Sequence, residues 1–134
     1  MTKIQFAVLV SGGGLLLASA PAFAHHSFAA EFDERQPITI SGCVTKVEWM
    51  NPHAHFYLDV TDAKGNVANW EFELGSPNAL MRAGWMRNSM KAGDEVTVQG
   101  FRSKDGSNLV NAKTVKLADG HNLFGASSAP EGGR

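Results

Sequence analysis

The sequence predicts an all-β fold with one short helix, arranged as a small five-stranded barrel of the oligonucleotide/oligosaccharide-binding (OB) type. Three observations predict it. Two stretches, His53 to Asp62 and Asn66 to Leu74, alternate apolar and polar residues with the period of a half-buried strand. A short helix signal, Ser76-Pro77-Asn78, falls between the third and fourth strand-like runs. Gly42 interrupts a long β-branched first run and predicts the bend that lets one strand serve both sides of a barrel. A small open β-sandwich is the alternative architecture. Closure favours the barrel, because it removes the exposed edges of so small a sheet.

The elements follow in order. Residues 1–24 read as a secretory signal peptide. Lys3 gives the basic start, Ile4 to Leu17 the apolar stretch, and Ala22-Phe23-Ala24 the small residues a signal peptidase requires. The rival site Ala18-x-Ala20 would place Pro21 just after the cut. Residues 25–37 form an N-terminal arm in which Phe28 and Phe32 lie four apart. A helical turn and an extended arm both fit, and Pro37 is expected to end it. Residues 38–120 form the OB-like domain. Its first strand runs from Ile38 to Met50, and Asn51-Pro52 is a turn or break.

The next two strands form a hairpin. Pairing Asp62 with Asn66 leaves the loop Ala63-Lys64-Gly65, with glycine at the left-handed position. The register then sets Leu58 opposite Trp70 and Phe56 opposite Phe72 on the core side. Tyr57 faces Glu71 and His55 faces Glu73 on the outer side. A one-residue slip would turn every apolar side chain outward, so the register is strongly specified. Ser76 caps a helix carried from Asn78 to Ala83, with Pro77 in its first turn. The last strands are Asp94 to Arg102, with Gly100 as a bend, and Leu109 to Leu117. Residues 121–134, rich in Gly, Ser and Ala, are expected to be a disordered tail.

Composition narrows the function classes. Without the leader about 110 residues remain, enough for one core. Removing Lys3 leaves 11 Lys+Arg against 13 Asp+Glu, a net charge of -2. That balance argues against nucleic acid, which needs a basic face. Cys43 is the single cysteine, so no internal disulfide is available. The leader predicts a periplasmic protein with no membrane span after cleavage.

The chemistry concentrates in histidine. Cleavage after Ala24 frees an amino terminus that begins His25-His26, whose α-amine and ring nitrogen can close on one metal ion. His53 and His55 lie two apart on one strand face, with Cβ atoms about 6.6 Å apart at roughly 3.3 Å per residue. Glu73 opposite His55 is a further ligand or an orienting group. Imidazole with amine nitrogen suits copper first and zinc next. The alternative is a non-metal OB module that takes an envelope protein, peptide or glycan on the same face, with Trp49, Asn51, Tyr57 and Glu71 as contact residues. Catalysis has little support. No serine carries a nucleophile motif, and Glu71 and Glu73 on one strand do not define a glycosidase.

The strings HHSFAAEFD, VTKVEWMNPH, WEFELGSPNAL and AGDEVTVQG together resemble a family of small exported bacterial proteins, the family of unknown function numbered 6152. The resemblance spans roughly His25 to Leu117. It implies export and no established activity. Its pattern includes His25, His26, Asn51, Pro52 and His53, and leaves His55 outside.

Overall fold

The structure, a computed structural model, describes residues 28–127. The segment expected to be a signal peptide, His25, His26 and the end of the tail lie outside the described residues. Residues 28–31 are helical and lead directly into β1 (Phe32–Glu48). Then follow β2 (His55–Thr61), β3 (Val67–Glu73), α1 (Pro77–Arg82), β4 (Glu95–Ser103), β5 (Leu109–Lys116) and β6 (Asn122–Phe124).

The pairings close a ring. β1 pairs antiparallel with both β2 and β4, β4 with β5, and β5 returns to β3 in parallel. This circuit, with β6 added beside β5, bears out the predicted all-β class with a short helix. β1 serves both sides, its partners changing over at Cys43, and the irregularity expected at Gly42 falls instead between Val44 and Lys46. Cys43 faces Asp59 of β2 and Glu95 of β4 at once. A Cβ on Gly42 would stand 2.5 Å from the carbonyl oxygen of Asp59, so only glycine lets the strands meet there.

The hairpin register is the predicted one, with Leu58 opposite Trp70, Phe56 opposite Phe72, Tyr57 opposite Glu71 and His55 opposite Glu73. Asp62 N–H donates to the Asn66 carbonyl at 2.9 Å, and Gly65 takes φ +85° in the loop. Inside the ring, Phe56 and Phe72 stack with centroids 4.9 Å apart and both are fully buried. Each such side chain contributes roughly 1.5–3 kcal/mol by leaving water. Around them pack Val44, Leu58, Leu74, Val98, Val110 and Val115. α1 seats Leu80 in this core. Ser76 Oγ accepts from the Ala79 N–H at 3.2 Å, the expected cap.

Three further expectations change. Pro37 does not end an arm: β1 already begins at Phe32, and Pro37 pairs with Phe101 on an edge where its missing N–H costs nothing. The tail contains β6, which pairs with Thr114–Lys116 of β5. Trp85, itself buried, donates its indole N–H to the Phe124 carbonyl at 2.9 Å and ties that strand down. On β3, Ala68 is exposed and Trp70 only half-buried, because the strand runs past the core toward its hairpin loop. The Arg102 guanidinium covers the Trp70 ring at 5.0 Å.

Candidate ligand face on the outside of the ring

One row of outward-facing residues circles the ring. Glu48 of β1 faces His55 of β2, His55 faces Glu73 of β3, Glu73 faces Asn111 of β5, Asn111 faces Phe101 of β4, and Phe101 faces Pro37 back on β1. The row leaves β1 at Glu48 and returns at Pro37, the stagger that closure of a tilted sheet imposes. It brings His55, Glu73, Tyr57, Glu71 and, just beyond the strand end, His53 onto one face, as the alternation predicts.

The side-chain contacts run diagonally rather than straight across. His55 Nδ1 lies 3.0 Å from Glu71 Oε1, although His55 faces Glu73 in register. The approach is close but not aligned as a hydrogen bond, and His55 Nδ1 is buried without another partner among the described residues. His53 Nδ1 lies 3.0 Å from the Leu74 carbonyl and 3.8 Å from Glu73 Oε1. A carbonyl only accepts, so Nδ1 of His53 carries a proton and Nε2 is the nitrogen left for any other partner. The expected His55–Glu73 contact is therefore replaced by His55–Glu71 and His53–Glu73. The diagonal neighbour is within reach of a long side chain.

Tyr57 sits among charges. Its hydroxyl lies 3.4 Å from Glu71 Oε1 and 3.5 Å from Glu48 Oε2, and Lys46 Nζ stands 5.6 Å from the ring centroid. Lys46 also pairs with Glu48. Burial, then Glu71 and Glu48, push the Tyr57 phenol up, whereas the Lys46 bond holds the Glu48 carboxyl down. Glu73 is the most enclosed carboxylate of the face. Burial pushes its pKa up, and Glu31 and Glu71 add to this, against His53 and His55 which pull it down.

Glu31 belongs to the helical residues 28–31, which are fastened to the end of β4. The Glu31 carbonyl accepts from Lys104 N–H at 2.9 Å and from Ser103 Oγ at 3.4 Å, and Lys104 Nζ bonds the Ala29 carbonyl. Phe28 is buried on the outer face, stacked on Phe32 and edge-on to Phe101, with centroids 5.7 and 5.8 Å apart.

The remaining predicted contact residues lie at the margin. Trp49 is half-buried against the core cluster. Asn51 and Pro52 form an exposed bend joined by a cis peptide bond. Sequence reasoning missed Asn111, which is fully buried with neither side-chain polar atom bonded among the described residues. Its position in an alternating strand marks it only as outward-facing. Among the described residues no three His, Cys, Asp or Glu side chains converge to hold a metal ion, and no helix is long and apolar enough to cross a membrane. A cleft of about 620 Å³ lies elsewhere, lined by residues such as Met86, Asp94 and His121, and contains none of the predicted site residues.

No curated protein matches the chain. One solved structure it resembles is the crystal structure of the ZRD-deleted mutant of TiaS in complex with agmatine. The identity is 16%, over 63% of this chain and 22% of that one, with a TM-score of 0.46, too low to inform fold or ligand. A family model described as "Family of unknown function (DUF6152)" matches residues 13–111, and the chain belongs to that family.

Proposed function

We propose that this protein is a small periplasmic metal-binding protein, with copper favoured over zinc. In this reading His53 and His55 supply imidazole nitrogen, and His25, freed by cleavage after Ala24, supplies its α-amine and ring. His26 and Glu73 complete or orient the set. One observation carries the reading: Phe28 is buried over Phe101, in the same outer row that contains Glu73 and His55. His26 and His25 precede Phe28 by two and three residues. Three extended residues span about 10 Å, the width of roughly two strand spacings. That length equals the spacing between Phe101 and Glu73, which are separated in the row by Asn111. The His53 tautomer also suits a ligand, since Nδ1–H is held by a carbonyl and Nε2 is free to bind.

The test is calorimetric titration of Cu(II) and Zn(II) into protein that begins at His25, beside protein with one extra residue in front. The native terminus should bind Cu(II) more tightly by at least about tenfold, because the extra residue removes the amine from reach. Equal affinity for the two forms rules the amine out.

A second reading has one observation in its favour. Tyr57 lies on the face of the first three strands, where OB modules bind, with its hydroxyl between Glu71 and Glu48 and Lys46 over its ring. Such a face suits a glycan or a peptide of an envelope protein. Co-purification of such a partner, lost in Tyr57→Ala without loss of folding, would support this module.

A further inference from the structure

β4, β5 and β6 turn a second face outward, and none of the predicted site residues lies on it. A groove of about 480 Å³ crosses this face, lined by Thr97 and Gln99 of β4, Thr114 and Lys116 of β5, and Asn122 of β6. Register brings them together: Thr97 faces Lys116, Lys116 faces Asn122, and Gln99 faces Thr114. Phe124 faces Thr114 from the other side and, two residues on from Asn122, shares its face. Phe124 is 41% exposed. The hydroxyls are already held. Ser41 Oγ lies 2.8 Å from Thr97 Oγ1, and Thr114 Oγ1 donates to Gln99 Oε1 at 3.3 Å. That second bond takes the Gln99 carbonyl and leaves its NH2 group to donate elsewhere. Acidic residues outnumber basic ones in this chain, 13 to 12, yet no carboxylate lines the groove and its one charge is the Lys116 ammonium.

We infer that this groove binds a carboxylate-bearing oligosaccharide. Sugar hydroxyls donate and accept at once, and here they meet side chains that do the same: the hydroxyls of Thr97 and Thr114 and the amides of Gln99 and Asn122. A sugar ring also has an apolar C–H face, which needs a flat apolar partner, and Phe124 presents one beside Thr114. Lys116 complements a sugar carboxylate, with no acidic group in the lining to repel it. Holding Thr97 and Thr114 in place beforehand lowers the ordering cost of binding. Other occupants fit less well. A nucleic acid needs more than one cation to neutralise its phosphates. An extended peptide needs an unpaired strand edge, whereas this groove lies across strands already paired to one another. A transition-metal ion needs imidazole, thiolate or carboxylate, and the lining has none. The groove shares no residue with the histidine face or with the Tyr57 cluster, so it stands apart from both readings of the function.

The test is NMR titration of protein that begins at His25 with an oligogalacturonate and with its methyl ester, which keeps the sugars and removes their charge. Signals of Gln99, Thr114, Asn122 and Phe124 should move together and saturate with either sugar, and the acid should bind more tightly. Phe124→Ala should weaken both about tenfold, the worth of one ring contact. Lys116→Gln should weaken the acid alone, by up to about fivefold as one exposed ion pair allows, so that acid and ester then bind alike. If Phe124→Ala loosens β6, Asn122→Ala at an exposed position takes its place and should weaken both sugars. Unmoved groove signals overturn the inference. So does binding of the acid that added salt abolishes and Phe124→Ala leaves unchanged, which is the mark of charge alone. Shifts confined to His55, Tyr57 and Glu71 overturn it too, and assign the glycan to the other face.

Discussion

His55 faces Glu73 across the β2–β3 hairpin, yet its ring meets Glu71, with Nδ1 3.0 Å from Oε1. The carboxylate that orients this imidazole is thus the one opposite Tyr57. Glu71→Gln keeps the volume and removes the charge. The contact is partly exposed, so the fold should lose no more than about 1 kcal/mol. If His55 ligates metal, affinity for Cu(II) should fall about 10- to 100-fold, since an outer carboxylate fixes ring orientation and basicity. Paired chemical denaturation and calorimetry separate the two effects. Unchanged affinity would remove His55–Glu71 from the site.

Close backbone approach makes a second prediction at the glycines. A Cβ on Gly42 would stand 2.5 Å from the Asp59 carbonyl oxygen, and one on Gly100 would stand 2.1 Å from that of Asn111. Both obstacles are backbone in the strand ladder and have nowhere to move. Gly42→Ala and Gly100→Ala should each cost about 3 kcal/mol or more, at the severe end for single substitutions. Gly65 has φ +85° but open space around it, so Gly65→Ala should cost only about 1–2 kcal/mol, the strain of the left-handed region. Thermal unfolding of the three variants checks the order. A Gly65→Ala loss as large as the other two contradicts the steric account.

The difference between these glycines mirrors what the sequence discloses. The β2–β3 register was legible because alternation and the Asp62–Asn66 loop both point to it and act over a few residues. The Ser76 cap was legible for the same reason. β6 was not, since Asn122–Phe124 has no period of its own and exists through β5 and the Trp85 indole. The site was half legible. The shared face of His53, His55, Glu71 and Glu73 follows from strand period, but the choice of carboxylate depends on side-chain reach. Asn111 was hidden because its position in an alternating strand marks it only as outward-facing, and nothing in the local sequence of β5 signals its burial.

The same N-terminal stretch carries an acid-range prediction. Asp33 accepts from the Arg35 N–H and Nε–H, both at 3.0 Å, and from Arg35 Nη2 at 3.2 Å. These bonds, with Gln36 assisting, lower its pKa from 3.8 to about 2. A depressed folded pKa stabilises the native state above the unfolded value. That stabilisation is lost as pH falls from 3.8 through about 2. Carboxyl-detected NMR should show Asp33 titrating near 2, and Arg35→Ala should bring it back toward the ordinary range. An Asp33 midpoint unaffected by Arg35→Ala breaks the assignment.

Glu73 should behave in the opposite sense. Burial comes first among the causes that raise its pKa, followed by Glu31 and Glu71, while His53 and His55 act the other way. A raised folded pKa means that the native state holds the proton more firmly than the unfolded chain. Its contribution to stability is full below the unfolded carboxylate value and is lost as pH climbs through the raised folded value. At neutral pH the enclosed carboxylate is thus a burden on the metal-free protein. Glu73→Gln mimics the protonated form. It should raise the urea midpoint at pH 7 and leave it nearly unchanged near pH 4, where wild-type Glu73 is itself largely protonated. A variant less stable than the parent at pH 7 would show that ionised Glu73 is compensated in the native state, by the histidines or by an amine seated against it. Repeating the comparison on the chain that starts at Phe28 separates these sources. The benefit of Glu73→Gln should grow there if residues 25–27 carry the compensating charge, and stay constant if His53 and His55 carry it.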